Sequence, residues 1–244
     1  MCGRFTLKTP VDYWLADLFP NWKEDLTPTL ESISAPFLTQ ARYNIAPSQN
    51  ILVVRMDATG SPVIETMRWG LVPVWADTVT AGYNMINARS ESIAEKPSFR
   101  PSLINKRCVV LADGYYEWKT LASKVKEPYW IHTAGEQVFA MAGIWAENRK
   151  IQNTQSPELP IRSASIATIG ANEDVAEVHD RMPAIKTSEA EIAAWLNPSL
   201  DNTDCIPGLL EQLQSSVGVL QFRRVSTLVN RVTNDGPEIL APTI

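Results

Sequence analysis

Histidine and cysteine are the scarce residues of this sequence, 2 and 3 among 244. So few thiols, in an odd number, cannot build the disulfide framework of a small secreted scaffold, and they suit a reducing cytosol. No Cys-x-x-Cys, His-x-x-x-His or carboxylate cage stands at ligand spacing, so no metal site is legible. Phosphate-loop and dinucleotide-glycine fingerprints are also missing, and no cofactor is expected. No run of about 18 apolar residues exists to cross a membrane. The opening residues alternate polar and apolar without a signal-peptide core, and position 2 is Cys2 rather than the glycine that myristoylation needs. An excess of positive charge is lacking as well. The formal net charge of −5 excludes a protein that coats nucleic acid through bulk electrostatics, so any such binding needs a local basic groove. These absences predict a cytoplasmic protein with no membrane contact.

What is present is an ordinary globular composition, 45% hydrophobic and 20% charged. Strand signals dominate the middle: "NILVVRM", "PVIETMRWGLV", "RCVVLADGYYEWK", "EPYWIHT", "QVFAMAGIWAE" and "SASIATIG" are rich in β-branched and aromatic residues. "EPYWIHT" and "QVFAMAGIWAE" flank Ala134-Gly135-Glu136, which reads as a hairpin. Thr9-Pro10 before "VDYWLADLF" offers an N-cap and a proline at the first helical position. Ser188 with Glu191 makes a capping box ahead of "IAAWL", and "PGLLEQLQ" is a third helix. The polar, proline-containing stretches "NWKEDLTPTLESISAPFLTQ" and "NRKIQNTQSPELPIRS" read as surface loops. No linker divides the strand-rich centre. The expectation is one α+β domain over residues 1–244, with a curved, mainly antiparallel sheet and peripheral helices.

Candidate chemistry lies in polar residues set among apolar ones. His132 shares a strand face with Trp130 and reads as a satisfied ring. His179 sits in "NEDVAEVHDRMP", between a short acidic helical stretch and Pro183, flanked by Asp180 and Arg181. It is a candidate acid/base or a helix-terminal structural residue. Glu117 interrupts Tyr115, Tyr116 and Trp118. Among aromatics its ionised form would be desolvated and its pKa raised, unless strand alternation points it at solvent. Asn87 and Arg89 lie in "YNMINARSES", where Asn87 could equally serve a turn. Arg42, Tyr43, Arg68, Trp69 and Trp75 could grip phosphates and stack bases, or the tryptophans could fill the core. Cys108, in "RCVVLADG", reads as core.

Taken in order, "MCGRF", "RYNIAP", "WGLVPVW", "NARSES", "DGYYEW", "MAGIW" and "HDRMP", with the tail "VNRVTNDGPEIL", resemble the SRAP family of SOS-response-associated peptidases or abasic-site-shielding proteins. The pieces span nearly the whole chain. The resemblance implies a single-domain α+β fold with a basic DNA groove, a monomer, and a partner: single-stranded DNA containing abasic sites, trapped as a covalent crosslink. It makes Cys2 the crosslinking residue and matches Asn87, Glu117 and His179 to the other active-site positions. It places Arg4, Pro47, Trp69 and Arg89, with Arg42, Asn44 and Trp75 of the same stretches, along the DNA path.

The chemistry of Cys2 supports this independently. A ring-opened abasic deoxyribose is an aldehyde, and an N-terminal cysteine freed of Met1 is a 1,2-aminothiol. Its amine condenses with the aldehyde to an imine, and its thiol closes a thiazolidine ring. The α-amino pKa of about 7.7–8.0 leaves a useful unprotonated fraction at neutral pH, and a thiol near 8.5 needs modest activation. Two other readings stay open at this point: a thiol peptidase acting on other proteins with His179 as base, and a non-covalent single-stranded DNA-binding module. A lyase-like scission through the imine is a further possibility.

Overall fold

The computed structural model describes residues 2–151, 160–214, 218 and 220–241. Met1 and residues 152–159 of the second expected loop lie outside the described residues. The strands are β1 (Phe5–Leu7), β2 (Arg42–Ile45), β3 (Asn50–Met56), β4 (Pro62–Trp69), β5 (Asn87–Arg89), β6 (Arg107–Ala112), β7 (Gly114–Thr120), β8 (Lys126–Thr133), β9 (Phe139–Asn148), β10 (Ile161–Gly170), β11 (Arg181–Pro183), β12 (Ile185–Lys186) and β13 (Leu220–Arg224). The helices are α1 (Val11–Leu18), α2 (Lys23–Leu30), α3 (Ala35–Thr39), α4 (Arg100–Asn105), α5 (Glu189–Leu196) and α6 (Ile206–Gln212).

The α+β class and the mainly antiparallel pairing are as expected, but the strands form two sheets. In one, β10, β4, β3, β6 and β9 pair in turn and β9 returns to β10, which closes a barrel. The unbroken apolar run of β6, buried at every position, suits a strand covered on both faces. The parallel pairings are those of β10 with β4 and with β5. The second sheet runs β13-β8-β7-β1-β2. The chain crosses from barrel to second sheet at Asp113, and back again at Ala134–Glu136.

That return corrects the expected hairpin. Gly135 takes a left-handed φ of 82° and turns the chain as its composition suggests, yet β8 pairs with β7 and β13 while β9 belongs to the barrel. The hairpin partner of β8 is β7, in register from Tyr115↔Ile131 to Thr120↔Lys126. Gly114 allows this pairing, because a Cβ there would fall 2.2 Å from Trp130 Nε1.

Helix α5 carries its expected capping box: the Ser188 hydroxyl accepts from Glu191 N–H, and the Glu191 carboxylate accepts from Thr187 N–H. Helix α6 falls on "PGLLEQLQ" as read. Helix α1 begins differently. Pro10 occupies the N-cap and Thr9 caps nothing, because the Thr9 N–H and hydroxyl both donate to the Asp113 carboxylate. The stretch expected as a loop between residues 21 and 40 holds α2 and α3. Its polarity misled because tertiary contacts supply the order: Leu26 is fully buried, Glu189 accepts from Asn21 N–H and Trp22 N–H, and Thr29 accepts from Ile64 N–H. The acidic stretch before His179 forms turns rather than a helix, and β11 follows it.

Candidate active site

The N-terminal residues lie where the two sheets meet. Strand β1 is held between β2 and β7, with Phe5 opposite both Ile45 and Tyr115. Asp113, fully buried, fastens it. One carboxylate oxygen accepts from the Thr6 hydroxyl at 2.6 Å, and the other accepts from Lys8 N–H at 2.7 Å and from Thr9 N–H and hydroxyl at 2.9 Å. Tyr116 N–H donates to Arg4 C=O. The start of the chain, ordinarily free to fray, is thereby fixed, and Cys2 is completely buried.

Three side chains from three other segments converge on it. Asn87, on β5, donates from Nδ2 to Cys2 C=O at 2.7 Å, and its buried Oδ1 has no partner among the described residues. β5 holds this position by parallel pairing with β10, Asn87 opposite Ile166. Glu117 lies on β7, whose alternation sends Tyr116 and Trp118 to the opposite face. There the Tyr116 hydroxyl donates to Tyr43 C=O and Trp118 Nε1 to Asn230 Oδ1. Glu117 is 2% exposed, which settles its direction as inward. His179 follows, with Nε2 3.8 Å from Glu117 Oε2. Its Nδ1 accepts from Arg181 N–H at 3.0 Å and lies 2.9 Å from the exposed Asp180 carboxylate. Accepting at Nδ1 leaves the proton of the neutral ring on Nε2, the nitrogen facing Glu117.

The electrostatics follow from burial. Desolvation raises the Glu117 pKa and lowers that of His179, so burial opposes the charged form of each. Burial, with Glu117 adding to it, also pushes the Cys2 thiol well above its ordinary value. This corrects the expectation of a thiol needing only modest activation: Cys2 is held as a neutral thiol and must hand its proton to a neighbour when it reacts. The Tyr115 hydroxyl, on the same face of β7 as Glu117, is buried without a hydrogen-bond partner, and burial followed by the proximity of Cys2 and Glu117 raises its pKa.

The residues assigned to the DNA path divide sharply. Trp69 cannot stack a base: it is fully buried, its Nε1 donates to Ile86 C=O, and Phe5 meets its ring edge-on at 5.1 Å. Asn44 is buried too, with Nδ2 donating to the carbonyls of Val229, Arg231 and Asn234. Arg4 donates to Asn44 Oδ1 and Val229 C=O, and Arg42 to Asn50 C=O and Gln49 Oε1. These two guanidiniums and the Asn44 amide bind the protein's own backbone and side chains. Pro47 is half-buried between β2 and β3. Trp75 is 54% exposed and Arg89 is exposed two residues beyond Asn87, on the same strand face. Tyr83, 55% exposed with the Arg68 guanidinium over its ring, was not singled out in the sequence. Neither were Tyr115 and Glu91 as site residues, since nothing in their spacing reports unpaired burial or a distant partner. Among the described residues no group of three or more His, Cys, Asp or Glu could hold a metal ion.

A family model described as SOS response associated peptidase (SRAP) matches residues 1–232. The chain belongs to the SRAP family. Its relatives include the abasic site processing proteins YoqW and YoaM of Bacillus subtilis. YoqW is 38% identical over 98% of this chain and 99% of its own length, and YoaM is 39% identical over 98% and 97%. The abasic site processing protein HMCES of Gallus gallus is 35% identical over 78% of this chain and 60% of its own length. A crystal structure of a protein from Bacteroides thetaiotaomicron matches this SRAP chain over the full length of both, with TM-score 0.75 at 23% identity, a likeness of fold. No described helix of this SRAP protein is long and apolar enough to cross a membrane.

Proposed function

We propose that this protein processes abasic sites in single-stranded DNA by trapping them on Cys2 as a thiazolidine. The carrying observation is the convergence of Asn87, Glu117 and His179 on the residue that becomes the N-terminus once Met1 is removed. Relatives named as abasic site processing proteins, similar over nearly the whole chain, support the substrate class.

The reaction is balanced without an oxidant. Water hydrolyses the Met1–Cys2 peptide bond and releases a free amine. That amine adds to the sugar aldehyde, loses water and forms an imine. The Cys2 sulfur then attacks the imine carbon, forming the C–S bond as the thiol proton moves to nitrogen. Protonated Glu117 donates to the departing hydroxyl of the carbinolamine and afterwards accepts from the thiol. His179, neutral with its proton on Nε2, hydrogen-bonds the ring-opened sugar and exchanges protons with Glu117. Asn87 holds the Cys2 carbonyl and offers its Oδ1 to the freed amine. Arg89 contacts phosphate, and Trp75 and Tyr83 stack exposed bases. Glu117 and His179 also serve the hydrolysis of the Met1–Cys2 bond, which accounts for a peptidase label without a protein substrate.

A thiol peptidase acting on other proteins is disfavoured by the buried Cys2 sulfur, kept as a thiol where such chemistry needs a thiolate. The test is a denaturing gel of protein incubated with abasic and intact single-stranded DNA. Wild type yields a denaturant-resistant complex with the abasic strand alone, and Cys2→Ala yields none while retaining reversible binding. A Cys2→Ala protein crosslinking at wild-type yield contradicts the thiazolidine.

A further inference from the structure

Two residues from separate motifs, Glu91 of "NARSES" and Arg181 of "HDRMP", meet beside the site without taking part in the chemistry above. Arg181 lies on β11, whose backbone pairs with β10 at Gly170. Its guanidinium forms a two-pronged ion pair with the Glu91 carboxylate, Nη2 to Oε2 at 3.0 Å. Nη2 also donates to Thr168 C=O at 2.7 Å and to the Thr168 hydroxyl at 3.2 Å. The Arg181 side chain is 12% exposed and that of Glu91 59%, so the guanidinium is desolvated while the carboxylate meets solvent, and the two-pronged contact with the added Thr168 bonds sets the pair apart from a loose surface bridge. Glu91 follows β5, the strand carrying Asn87 and Arg89, and Ser90 N–H beside it donates to Thr168 C=O. The pair therefore ties the Asn87 strand to the His179 segment through one residue of the barrel.

The link continues to the imidazole. The same Arg181 whose side chain is fixed supplies the backbone N–H that His179 Nδ1 accepts. The charged groups around this ring include the amino terminus, Glu117 from β7, Lys126 from β8, and Asp180 and Arg181 from its own segment. Asp180, at 2.9 Å and 86% exposed, competes for Nδ1 and favours a proton there. A device that keeps the Arg181 N–H on Nδ1 thus decides which nitrogen carries the proton.

We propose that the Glu91–Arg181 pair is the positioning device for His179, holding the neutral ring with its proton on Nε2 towards Glu117. The inference rests on the reading of His179 as a proton-transfer group in the reaction proposed above. Glu91 itself touches neither Cys2 nor His179 and acts through Arg181.

The test uses the full chain with ¹⁵N-labelled histidine. Only two histidines occur, so a His132→Gln comparison assigns His179 directly. At neutral pH wild type shows Nδ1 without a proton and Nε2 with one, whereas Glu91→Ala shows both tautomers. At saturating abasic single-stranded DNA, Glu91→Ala crosslinks about tenfold more slowly while half-saturation changes by less than about twofold, the scale on which outer partners of a functional imidazole act. Glu91→Asp, which keeps the charge, retains most of the rate. An unchanged tautomer in a folded Glu91→Ala protein overturns the proposal. So does a change in half-saturation with the saturating rate intact, because the pair then serves affinity. A tautomer shift in a protein that forms no crosslink at all upholds the positioning and refutes the reading of the site instead.

Discussion

The two faces of the five-stranded sheet treat buried polar groups in opposite ways. On the face carrying Tyr116 and Trp118, the segment 225–240 lies against the sheet and its polar groups are matched. Asn44 meets three carbonyls, Arg4 meets Asn44 and Val229, and Asp235 accepts from Tyr43 N–H and Asn44 N–H. On the face carrying Tyr115 and Glu117, polar atoms are buried against their preference. Asn87 Oδ1 and the Tyr115 hydroxyl have no partner among the described residues, Glu117 is driven towards its protonated form, and Cys2 is held as a thiol. Buried polar groups are normally satisfied; single unpartnered atoms occur elsewhere too, such as Ser165 Oγ, Gln212 Oε1 and Arg223 Nε, but those of Asn87 and Tyr115 lie beside Cys2, where a ligand can supply the missing partners. The matched face makes the fold, and the mismatched face holds the residues of the proposed chemistry.

The largest expected effect lies on the mismatched face. Replacing Glu117 by Gln removes the proton carrier and slows crosslinking about 100-fold, equivalent to about 2.7 kcal/mol. Because the folded-state pKa of Glu117 is raised, the stability linked to its protonation is fully present below the ordinary glutamate value of 4.5. It declines as pH climbs from there to the folded value. Glu117→Gln should therefore be at least as stable as wild type at pH 7 and lose that part of the pH dependence, as read by urea unfolding across pH. A Glu117→Gln protein that unfolds more readily at pH 7 breaks the comparison.

The matched face behaves inversely. Asn44→Ala takes the amide donor from the carbonyls of Arg231 and Asn234, leaves Val229 C=O to Arg4 alone and removes half of the Arg4 contact, and should cost about 1–2 kcal/mol of stability. It should leave the crosslinking rate per folded molecule within about threefold, since none of its contacts reaches the reacting atoms. Effects of similar size separate the two tryptophans once placed together on the DNA path. Trp75→Ala should leave the unfolding midpoint unchanged and weaken single-stranded DNA binding by about 1–2 kcal/mol. Trp69→Phe should leave DNA binding unchanged and cost about 1–2 kcal/mol of stability through its lost indole bond and volume. The smallest effect is that of Arg89→Gln, which should lower the slope of log affinity against log salt by about 0.7.

These contrasts also mark how far the sequence reads. Strand composition, the Ser188 and Glu191 capping box and the burial of Cys108 are local properties, and all stand in the structure. Period-2 alternation put Glu117 and Tyr116 on opposite faces but could not say which face was dry, because that depends on what covers each side. Trp69 and Trp75 are the same residue type six positions apart, and their fates differ through packing against Phe5, which comes from the far end of the chain order. The apparent hairpin at Gly135 had the right turn residue for the wrong partner, since a turn reports direction and not pairing. The helices between residues 23 and 39 are specified by Glu189, Ile64 and buried Leu26 rather than by their own polar sequence. Cys2, Asn87, Glu117 and His179 were named through the ordered resemblance, and the structure brings these four candidates together. Their support was not legible, because the Asp113 bond to Lys8 N–H spans 105 residues and the Arg181 bond to Glu91 spans 90, and such reach leaves no local pattern.

The central claim is that a freed aminothiol at Cys2 closes on the abasic aldehyde, and intact-mass spectrometry before and after incubation with abasic single-stranded DNA measures it in one experiment. The account predicts a protein lacking Met1 that gains the mass of the strand less one water, with the attachment mapped to Cys2. A mature protein that keeps Met1, or an adduct that maps to any other residue, contradicts it.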